Sequence, residues 1–500
     1  MRKFVLPLAL LLSVAAAAQQ KNDPSKFAGA ITAQDLKAKL TIIAGTQMEG
    51  RETATPGQKR AAAYIENFFK SIGLQPGTST GYQLSYPVYQ DSLAAVSLTI
   101  NNSTLVPDKD YVISPSSFIP GSWKAGEVIF ASFGTSDSTI NNYSGLDVKD
   151  RWVMLLEGSA NDGDKPNFRA ARAKILAARS KGAKGIIIVS RDFPKAKPSS
   201  LKGSMYVTKL TTNTPVVSMS VDAAAAILGK TSSSFADLKT TVRGVYNANL
   251  SLDIKTITNN LESTDVIGVL PGTDKKDEYV MVTGHYDHLG KRDTVIYYGA
   301  DDDGSGTTSV LEIAQTFAKA KAKGQGPRRT MVFMTVSGEE EGLWGSDYYT
   351  SHPVFPLEKT SVDLNTDMVG RIDPGYKGDS LNYLYVIGED KLSSDLMKIT
   401  DSINNSGVHM ELDRRFNDPK DPNRFYFRSD HYNFAKHGVP VIFYFNGVHK
   451  DYHQPTDTVD KINFDLMTKR VKLVFYTAWT MANRNDMLVR DIPLPKSARE

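Results

Sequence analysis

Residues 279–288 read YVMVTGHYDH, an apolar stretch that stops at a glycine and is followed by two histidines on either side of Tyr286 and Asp287. A short apolar run that ends at glycine predicts a buried β-strand. Three later stretches have the same character, and helical patterns separate them. This alternation predicts an α/β domain with three layers, α/β/α, and a mostly parallel central sheet. The candidate strands are Tyr279–Thr283, Met331–Val336, Ser361–Asn365 and Val439–Phe445.

Two segments show apolar residues at helical spacing. Residues 306–321 lie between the first two candidate strands, and residues 57–72 lie near the start of the chain, where Gly73 ends the pattern. Spacing of three and four residues places apolar side chains on one face of a helix. Both segments are therefore predicted to be core-facing amphipathic helices. The apolar side of the first is formed by Val310, Ile313, Ala314 and Phe317.

Side chains suited to metal chemistry follow the candidate strands, at the edge where open parallel sheets bind ligands. His285 and Asp287 follow the first strand, and a nearby carboxylate can fix the tautomer of a ligating histidine. A lone histidine at such a place can equally be structural. Three aspartates then stand together in the turn Gly299–Gly306, where they repel one another unless a cation or a helix N-terminus compensates. Helix capping on a solvated surface is the alternative for that turn.

Further acids and a second histidine follow the other strands. Residues 339–341 are three glutamates in an apolar setting, and Asp367 stands among apolar neighbours after the third strand. The chain has no cysteine, so metal ligands are confined to His, Asp and Glu. The candidate ligands are separated by 17, 38, 27 and 86 residues, as when each strand delivers one ligand. These ligands are His285, Asp302, Glu340, Asp367 and His453.

Such a set suits two zinc ions. Each Zn²⁺ takes about four ligands, so two neighbouring ions can share one bridging carboxylate and still leave positions for water or substrate. Three carboxylates and two neutral imidazoles on two dications leave about one positive charge, which a hydroxide cancels and a developing oxyanion can share. A second glutamate beside the metal, but not bound to it, could take a proton from the water.

Taken together and in this order, the motifs resemble those of the co-catalytic zinc exopeptidases, which include bacterial leucyl-type aminopeptidases and the glutamate carboxypeptidases. The resemblance covers about residues 30–90 and 262–490. The motifs that carry it are His285-x-Asp287, Gly299-Ala-Asp-Asp302-Asp-Gly-Ser-Gly, Gly338-Glu339-Glu340-x-Gly-Leu-x-Gly-Ser and Asn365-x-Asp367-Met.

This resemblance implies roles for individual residues. It places His285 and Asp367 on one zinc ion and Glu340 and His453 on the other, with Asp302 bridging the two. It further implies that Glu339 is the general base and that Asp287 orients His285.

Other side chains near the motifs are candidates for contacts in the site. Tyr452 matches a tyrosine that in some relatives donates a hydrogen bond to the tetrahedral oxyanion; a packed aromatic is the alternative. Residues 427–431, FRSDH, resemble a family loop that borders the substrate pocket, so Arg428 and Asp430 are predicted to contact substrate, with an exposed ion pair as the alternative. His288 is interpreted as a residue that lines the site rather than as a ligand, because five ligands are already assigned and a sixth would be one too many.

Residues 93–255 have a different sequence pattern, in which short runs of residues that favour β-strands are separated by Ser, Asn, Gly and Asp. One helix is predicted at residues 170–181, before a strand at residues 186–189. Residues 146–155 and 182–189 resemble a protease-associated domain. The predicted organisation is a signal peptide at 1–18, a discontinuous zinc peptidase domain at 19–92 and 256–500, and an inserted protease-associated domain at 93–255.

The N-terminus reads Met1-Arg2-Lys3, then an apolar run and an alanine-rich stretch before Gln19, the pattern of a secretory signal peptide. The apolar run is shorter than the roughly 20 residues that cross a bilayer. We therefore expect a soluble, secreted or periplasmic protein with no membrane partner. The 59 basic and 55 acidic residues give a net charge of +4, and the scattered cations argue against a nucleic-acid partner.

The predicted function is that of a secreted zinc aminopeptidase, which hydrolyses N-terminal residues from peptides with zinc-activated water and Glu339 as general base. A carboxypeptidase or dipeptidase on the same scaffold is an alternative. A glutaminyl cyclase, a transferase with a single zinc ion, is disfavoured by the acidic turn that ends in Gly-Ser-Gly. A non-catalytic, receptor-like binding protein is disfavoured because every position needed for the chemistry is filled.

Overall fold

The computed structural model describes residues 23–159, 168–209 and 214–494. The predicted signal peptide, residues 1–18, lies outside these ranges. The chain divides into two compact units, the first within Met1–Tyr86 and Glu262–Glu500 and the second Pro87–Leu261. The helices are α1 (Ser25–Ala28), α2 (Ala33–Ile43), α3 (Pro56–Ser71), α4 (Phe168–Ser180), α5 (Val221–Ile227), α6 (Phe235–Thr240), α7 (Gly306–Ala322), α8 (Trp344–Ser351), α9 (Leu396–Ile403), α10 (His431–Ala435) and α11 (Phe464–Asn483).

Most strands are short, and two long ones, β2 and β10, run from one unit into the other. The strands are β1 (Gln75–Pro76), β2 (Gln83–Ile100), β3 (Ser103–Thr104), β4 (Tyr111–Ile113), β5 (Gly121–Phe130), β6 (Trp152–Leu156), β7 (Gly185–Val189), β8 (Lys202–Tyr206), β9 (Val216–Met219), β10 (Gly244–Leu270), β11 (Lys275–His285), β12 (Lys291–Arg292), β13 (Val295–Ile296), β14 (Arg329–Val336), β15 (Thr360–Thr366), β16 (Tyr383–Ile387), β17 (Glu411–Asp413) and β18 (Val441–Phe445).

The central sheet of the first unit has the spatial order β17, β16, β18, β15, β11, β14 and the last residues of β10. β11 is parallel to both β14 and β15, and β15 is parallel to β18. β16 and β17 are also parallel, whereas β10 with β14 and β16 with β18 are antiparallel. The prediction of an α/β fold with a mostly parallel sheet is confirmed. The carboxyl ends of β11, β14, β15 and β18 lie at the same edge.

The sheet of the first unit is covered on both faces. Side chains alternate along a strand, so Val280 and Val282 of β11 enter one core while Met281 enters the other. The first core includes residues of α2, α3, α7 and α11, and the second includes residues of α8 and α10. Burial on both faces explains why these strands read as continuous apolar runs in the sequence.

The predicted elements of the first unit are present with small shifts of their ends. The four candidate strands correspond to β11, β14, β15 and β18, and the two helical patterns correspond to α3 and α7. The start of α3 has a local cause, because the Thr55 side chain accepts a hydrogen bond from the Gln58 N–H and Pro56 occupies the first helical position.

The second unit also contains parallel strands. β5, β6, β7 and β9 pair in parallel, and β4 and the first half of β10 flank them in antiparallel fashion. Trp152 and Met154 of β6 pack in one core with residues of α5 and α6, and Val153 packs in another with α4. The prediction of a single helix is wrong here, since α5 and α6 are shorter than the 11 or so residues over which helical periodicity is visible.

Among the described helices of both units, none combines the length and the apolar character that a membrane span needs.

Candidate metal centre

The carboxyl edge of the first unit's sheet gathers the predicted ligands. His285 is the last residue of β11, and Asp367 follows β15 directly. Residues 339–340 follow β14 on a short turn, and His453 lies in the loop after β18. Asp302 lies in the helical turn Ala300–Ser305, which leads into α7. The predicted ligands, which are distant in the sequence, thus lie close together because parallel strands end at one edge.

A first group of donor atoms surrounds His285 Nε2. This nitrogen lies 3.4 Å from Asp302 Oδ1, 3.7 Å from Asp367 Oδ1 and 3.9 Å from Glu339 Oε2. Ligands about 2.1 Å from one tetrahedral ion are about 3.4 Å apart, so the first two separations match the spacing of ligands that share an ion. Glu339 is the more distant carboxylate of this group.

A second group adjoins the first. His453 Nε2 lies 3.0 Å from Asp302 Oδ2 and 3.1 Å from Glu340 Oε2. His288 Nδ1 lies 2.7 Å from Glu340 Oε1 and 3.8 Å from Asp302 Oδ2. Asp302 therefore presents one carboxylate oxygen to each group, and the two groups share this residue.

Asp303, the third aspartate of the acidic turn, accepts hydrogen bonds from three backbone N–H groups. Asp303 accepts hydrogen bonds from the backbone N–H groups of His285 at 3.1 Å, Gly306 at 2.7 Å and Met368 at 3.1 Å. These three donors belong to the end of β11, the start of α7 and the segment after β15. Asp303 thus ties together the chain segments that carry the ligands.

Asp301, the first aspartate of the turn, also has partners for both of its carboxylate oxygens. Asp301 accepts a hydrogen bond from the Gly370 N–H at 2.7 Å, and its other oxygen lies 3.0 Å from His449 Nε2. Asp457 Oδ2 accepts hydrogen bonds from the backbone N–H groups of Asp301 and Asp302, at 3.0 and 3.2 Å. Of the three aspartates, Asp302 is the one whose carboxylate faces the two donor groups.

A tight turn after β14 presents the two glutamates. Gly338 has φ +73°, and a Cβ on it would lie 2.7 Å from Tyr86 Oη and 2.9 Å from Trp344 Cβ. A side chain at this position therefore meets both strain and collision. The Glu339 N–H donates to Asp287 Oδ1 at 3.3 Å, which fixes the turn against the loop after β11.

Asp287 lies beside His285 on the side away from the two donor groups. The nearer partner of His285 Nδ1 is the backbone carbonyl of Asp287 at 3.2 Å, and the carboxylate lies at 3.6 Å. Thr53 Oγ1 donates to the other carboxylate oxygen at 2.8 Å. With Nδ1 turned toward Asp287, the Nε2 atom faces the donor groups.

The FRSDH stretch contributes differently from its sequence prediction. Ser429 Oγ donates to Asp367 Oδ2 at 2.7 Å and accepts from Asn365 Nδ2 at 2.9 Å. Asp430 is fully buried and accepts from Ser346 Oγ at 2.5 Å. Burial places Asp430 behind the site rather than on its wall, so we restrict the predicted substrate contact to Arg428.

A small cavity of about 30 Å³ opens over the donor groups, enough for one or two water molecules. Tyr452 stacks on His453 with ring centroids 3.8 Å apart, and Arg428 Nη2 donates to its hydroxyl at 3.4 Å. Other side chains of the wall are apolar, namely Met368, Phe425, Phe443, Phe445 and Val448.

The carboxylates of the site favour positive charge. Burial alone would lower the pKa of His285, but Glu339 and Asp367 raise it well above its ordinary value. Burial opposes the charge of His453 as well, yet the nearby carboxylates of Asp302 and Glu340 raise its pKa to about 10. Burial raises the pKa of Glu339 well above its usual range; His285 opposes this shift, and nearby carboxylates increase it.

The donor atoms fit divalent metal ions. Within the described part of the chain, His285 Nε2, Asp302 Oδ2 and Glu340 Oε1 are buried without a hydrogen-bond partner. Such atoms are costly to leave unsatisfied, and these three face the two donor groups. Imidazole nitrogen and carboxylate oxygen are ligands that zinc accepts, and Asp302 could bridge two ions.

Sequence reasoning missed Arg51, which is fully buried. Its guanidinium donates to the carbonyls of Tyr286 at 2.7 Å and Gly299 at 3.0 Å, so it connects the end of β11 to the acidic turn. Nothing in its own stretch of sequence signals this role. Other supporting residues do lie within or next to the quoted motifs, namely His288, Ser429 and Asp457.

Residues 265–478 match the model of Peptidase family M28. This segment contains all five predicted ligands, from His285 to His453. The resemblance to the zinc exopeptidases is thereby confirmed.

Curated relatives match less than half of the chain. A probable zinc metalloprotease of Pyrenophora tritici-repentis is 27% identical over 265 residues, covering 44% of this chain and 51% of the relative. A probable leucine aminopeptidase 1 of Trichophyton verrucosum is 28% identical over 229 residues, covering 43% and 57%. The chain thus spans about half the length of the curated relatives it matches.

Solved structures with a similar fold cover most of the chain. An aminopeptidase from Aneurinibacillus sp. strain AM-1 has a TM-score of 0.58 and 18% identity, over 95% of this chain and 100% of that one. The zinc aminopeptidase BSAP from Bacillus subtilis has a TM-score of 0.54 and 18% identity, over 93% and 99%. At this identity the likeness concerns the fold.

Proposed function

We propose that this chain is an aminopeptidase that removes N-terminal residues from peptides and uses two zinc ions at adjoining sites. The observation that carries the proposal is the position of Asp302, which presents one oxygen to each donor group. His285 and Asp367 would hold one ion, and Glu340 and His453 the other. The names of two relatives, a probable zinc metalloprotease and a probable leucine aminopeptidase 1, support this activity.

When bound, the two ions supply Lewis acidity, which polarises the scissile carbonyl and lowers the pKa of water. Glu339 supplies the proton transfer. Its carboxylate belongs to the first donor group, 3.9 Å from His285 Nε2, and the family resemblance gives it the role of base rather than ligand. A carboxylate beside the ions can take a proton from water and then deliver it to the leaving amine.

Tyr452 is suited to donating a hydrogen bond to the oxyanion of the tetrahedral intermediate. Burial raises its pKa, and the nearby carboxylates Asp302 and Glu340 raise it further, so the hydroxyl keeps its proton over the physiological range. Arg428 borders the same cavity, and its guanidinium lies 4.9 Å from the Phe425 ring centroid. We assign Tyr452 to the oxyanion and Arg428 to contact with the substrate.

Export and the second unit complete the proposal. The charged, apolar and alanine-rich pattern of residues 1–18 supports a signal peptide and a secreted or periplasmic location. The sequence of residues 146–155 and 182–189 supports a protease-associated domain as the identity of the second unit. The scattered cations of the chain argue against nucleic acid as a partner.

A panel of aminoacyl chromogenic amides, assayed with and without a chelator, tests the activity. We expect turnover to disappear on chelation and to return when zinc is added. Metal analysis should find two zinc ions per active chain. Equal turnover after thorough demetallation would contradict the proposal.

Blocked peptides distinguish an aminopeptidase from a carboxypeptidase on the same scaffold. An aminopeptidase cleaves C-amidated peptides and leaves N-acetylated peptides intact. The opposite pattern would reassign the enzyme to carboxypeptidases without changing the metal ligands. A dipeptidase would cleave neither blocked form of a long peptide and would accept free dipeptides.

A further inference from the structure

A second cavity of the first unit, of about 570 Å³, lies outside the two donor groups. Its walls are formed by residues 416–421, by Arg424, Tyr426 and Phe427, and by Lys391, and we call it the aromatic cavity. Sites for small ligands usually have volumes of about 300–1,000 Å³, and the aromatic cavity falls in this range. The proposed chemistry uses none of these side chains, so the cavity needs a separate explanation.

The aromatic cavity shares a wall with the small cavity over the donor groups. Phe416 of the aromatic cavity contacts Phe425 of the small one, with ring centroids 4.7 Å apart. Phe425, Tyr426 and Phe427 form one short helical turn, and the next residue, Arg428, borders the small cavity. An extended peptide advances about 3.3 Å per residue, so a few residues are longer than this wall is thick. One peptide can therefore reach from one cavity to the other.

Two arginines lie against the rings of this shared wall. The guanidinium carbon of Arg424 is 4.9 Å from the Phe427 ring centroid, and that of Arg428 is 4.9 Å from the Phe425 ring centroid. Both arginines are exposed, and neither forms an ion pair with a described residue of the chain. A guanidinium that stacks on a ring keeps the N–H groups at its edge, which suit a carboxylate. Both guanidiniums are thus held in place without a carboxylate partner.

Arg415, in the same segment, shows how such an arginine looks when its partner belongs to the chain. Its guanidinium carbon lies 5.4 Å from the Tyr376 ring centroid and 5.5 Å from that of Tyr385. Its Nε also donates to Asp413 Oδ2 at 2.8 Å. The aromatic support is the same as for Arg424, and the difference is the carboxylate.

The aspartates of the aromatic cavity do not supply that carboxylate. Asp418 Oδ1 accepts a hydrogen bond from the backbone N–H two residues further on, at 2.8 Å. Asp421 accepts hydrogen bonds from the N–H groups of Asn423 and Phe425, at 3.0 and 3.1 Å. These carboxylates hold the loop in shape, and neither forms an ion pair with Arg424.

We propose that the aromatic cavity and Arg424, together with Arg428, bind the part of a peptide substrate that follows the scissile bond and recognise a carboxylate on it. Aromatic walls suit apolar side chains, and the planar guanidinium suits a carboxylate. The carboxylate is the C-terminus of a short peptide or an acidic side chain of a longer one. This inference rests on the proposed function, since it assigns a substrate class to the same catalytic site.

Four hexapeptides with the same N-terminal leucine test the substrate class. Positions 4 and 5 are both Glu or both Gln, and the C-terminus is free or amidated. We expect kcat/KM to be about 10-fold lower for the peptide that has neither kind of carboxylate, because a charge-assisted contact is lost. A preference that survives amidation assigns recognition to acidic side chains, and one that disappears assigns it to the C-terminus. Equal kcat/KM for all four peptides overturns the inference.

The variant Arg424→Gln links this preference to the cavity. We expect KM for the preferred peptide to rise by about 10-fold with little change in kcat, as when binding is lost equally from ground and transition states. Arg424→Lys keeps the charge without the planar fork and should lie between wild type and Arg424→Gln. In wild type, added salt should weaken the preference, because the contact is exposed.

The matched control is Arg415→Gln, the same change at an arginine that already has its carboxylate, and it should keep the preference. Circular dichroism verifies that each variant folds. Equal loss of the preference in Arg415→Gln and Arg424→Gln would overturn the assignment to Arg424, as would an unchanged preference in Arg424→Gln.

Calorimetric titration of the four peptides into purified Glu339→Gln measures recognition without turnover. An enzyme that hydrolyses aminoacyl amides but treats the four peptides alike leaves the proposed function standing and removes this site. A chain that hydrolyses nothing, yet binds carboxylate peptides more tightly and loses this preference on the added change Arg424→Gln, keeps the site and removes the function. Equal affinity of folded Glu339→Gln for all four peptides overturns the inference.

Discussion

The carboxyl ends of parallel strands carry carboxylates in both units. In the second unit the carboxylate has hydrogen-bond partners that include an arginine, and we call this the matched edge. In the first unit, some buried carboxylate oxygens of the described residues lack a hydrogen-bond partner, and we call this the unmatched edge. In the second unit, Glu157 follows β6 and accepts hydrogen bonds from Ser190 Oγ at 2.7 Å and from Arg191 N and Nε at 2.7 and 2.9 Å. In the first unit, the described atoms Asp302 Oδ2 and Glu340 Oε1 remain without such partners.

This difference shows what a parallel sheet does and does not provide. The sheet brings loops together at one edge in both units. Whether that edge binds a ligand depends on the side chains, since function depends on the site rather than on the fold. A carboxylate already neutralised by an arginine needs no cation, whereas a group of carboxylates around imidazoles does.

The largest effect that we expect comes from Glu339, the proposed base of the unmatched edge. Glu339→Gln should lower kcat by about 10³-fold or more, at the upper end of what general base catalysis contributes. Its zinc content should stay at the wild-type level, because Glu339 is not a proposed ligand. The exposed Glu341, changed to Gln, is the matched control. Activity near wild type in zinc-loaded Glu339→Gln would refute the base assignment.

Paired substitutions at the two edges compare them directly. Glu340→Gln removes a charge from the unmatched edge and should release one zinc ion, together with most of the activity. Glu157→Gln removes a charge from the matched edge and should leave both ions bound. Metal analysis after dialysis measures both. The comparison fails if the two variants retain equal amounts of zinc.

A smaller effect on zinc affinity is expected at Asp457, which is not a proposed ligand. Its carboxylate accepts hydrogen bonds from the backbone N–H groups of Asp301 and Asp302. Asp457→Ala should lower zinc affinity by about 10- to 100-fold, the usual cost of removing a residue that orients a ligand. Asp457→Asn keeps an acceptor oxygen and should lose less. Equal losses in both variants would show that the backbone contacts to the acidic turn do not matter.

The last predicted effect concerns stability rather than activity, and is a pH dependence at a buried carboxylate away from the donor groups. Burial raises the pKa of Asp363 from 3.8 to about 8, against the lowering effect of its hydrogen bond from Thr283. Between these values the folded protein holds a proton that the unfolded chain has lost. The stability contributed by Asp363 is therefore present below the unfolded pKa and is lost as the pH rises to about 8.

Urea unfolding of wild type and Asp363→Asn between pH 6 and 8 measures this contribution. The free energy of unfolding of the wild type, relative to the variant, should fall by up to about 1.4 kcal/mol per pH unit. The asparagine does not titrate, so it serves as the reference. A constant difference across this range would mean that Asp363 does not hold a raised pKa.

The strands and the chemical character of the site could be predicted because both are local in the sequence. β11 and β14 are apolar runs followed at once by the residues that matter, His285 and Glu339. Their order along the chain was sufficient for the family resemblance. The observed ends of the helices and strands differ slightly from the predicted ends, because they depend on capping and strand pairing that apolar patterns do not show.

What could not be predicted depends on contacts between distant residues. In the sequence, Asp301, Asp302 and Asp303 are three equivalent acids, and the family resemblance alone distinguished Asp302. The structure shows the reason. Asp303 accepts hydrogen bonds from backbone N–H groups, including that of Met368, and Asp457 accepts a hydrogen bond from the Asp301 N–H, which holds the turn in place. Arg51 is similar, since its acceptors Tyr286 and Gly299 lie more than 230 residues further along the chain.

A crystal structure of the zinc-loaded protein, with anomalous data collected at the zinc absorption edge, tests the central claim most directly. We expect two anomalous peaks, one on either side of the Asp302 carboxylate, with Glu339 next to both and bound to neither. A single peak, or two peaks that do not share Asp302, would contradict it.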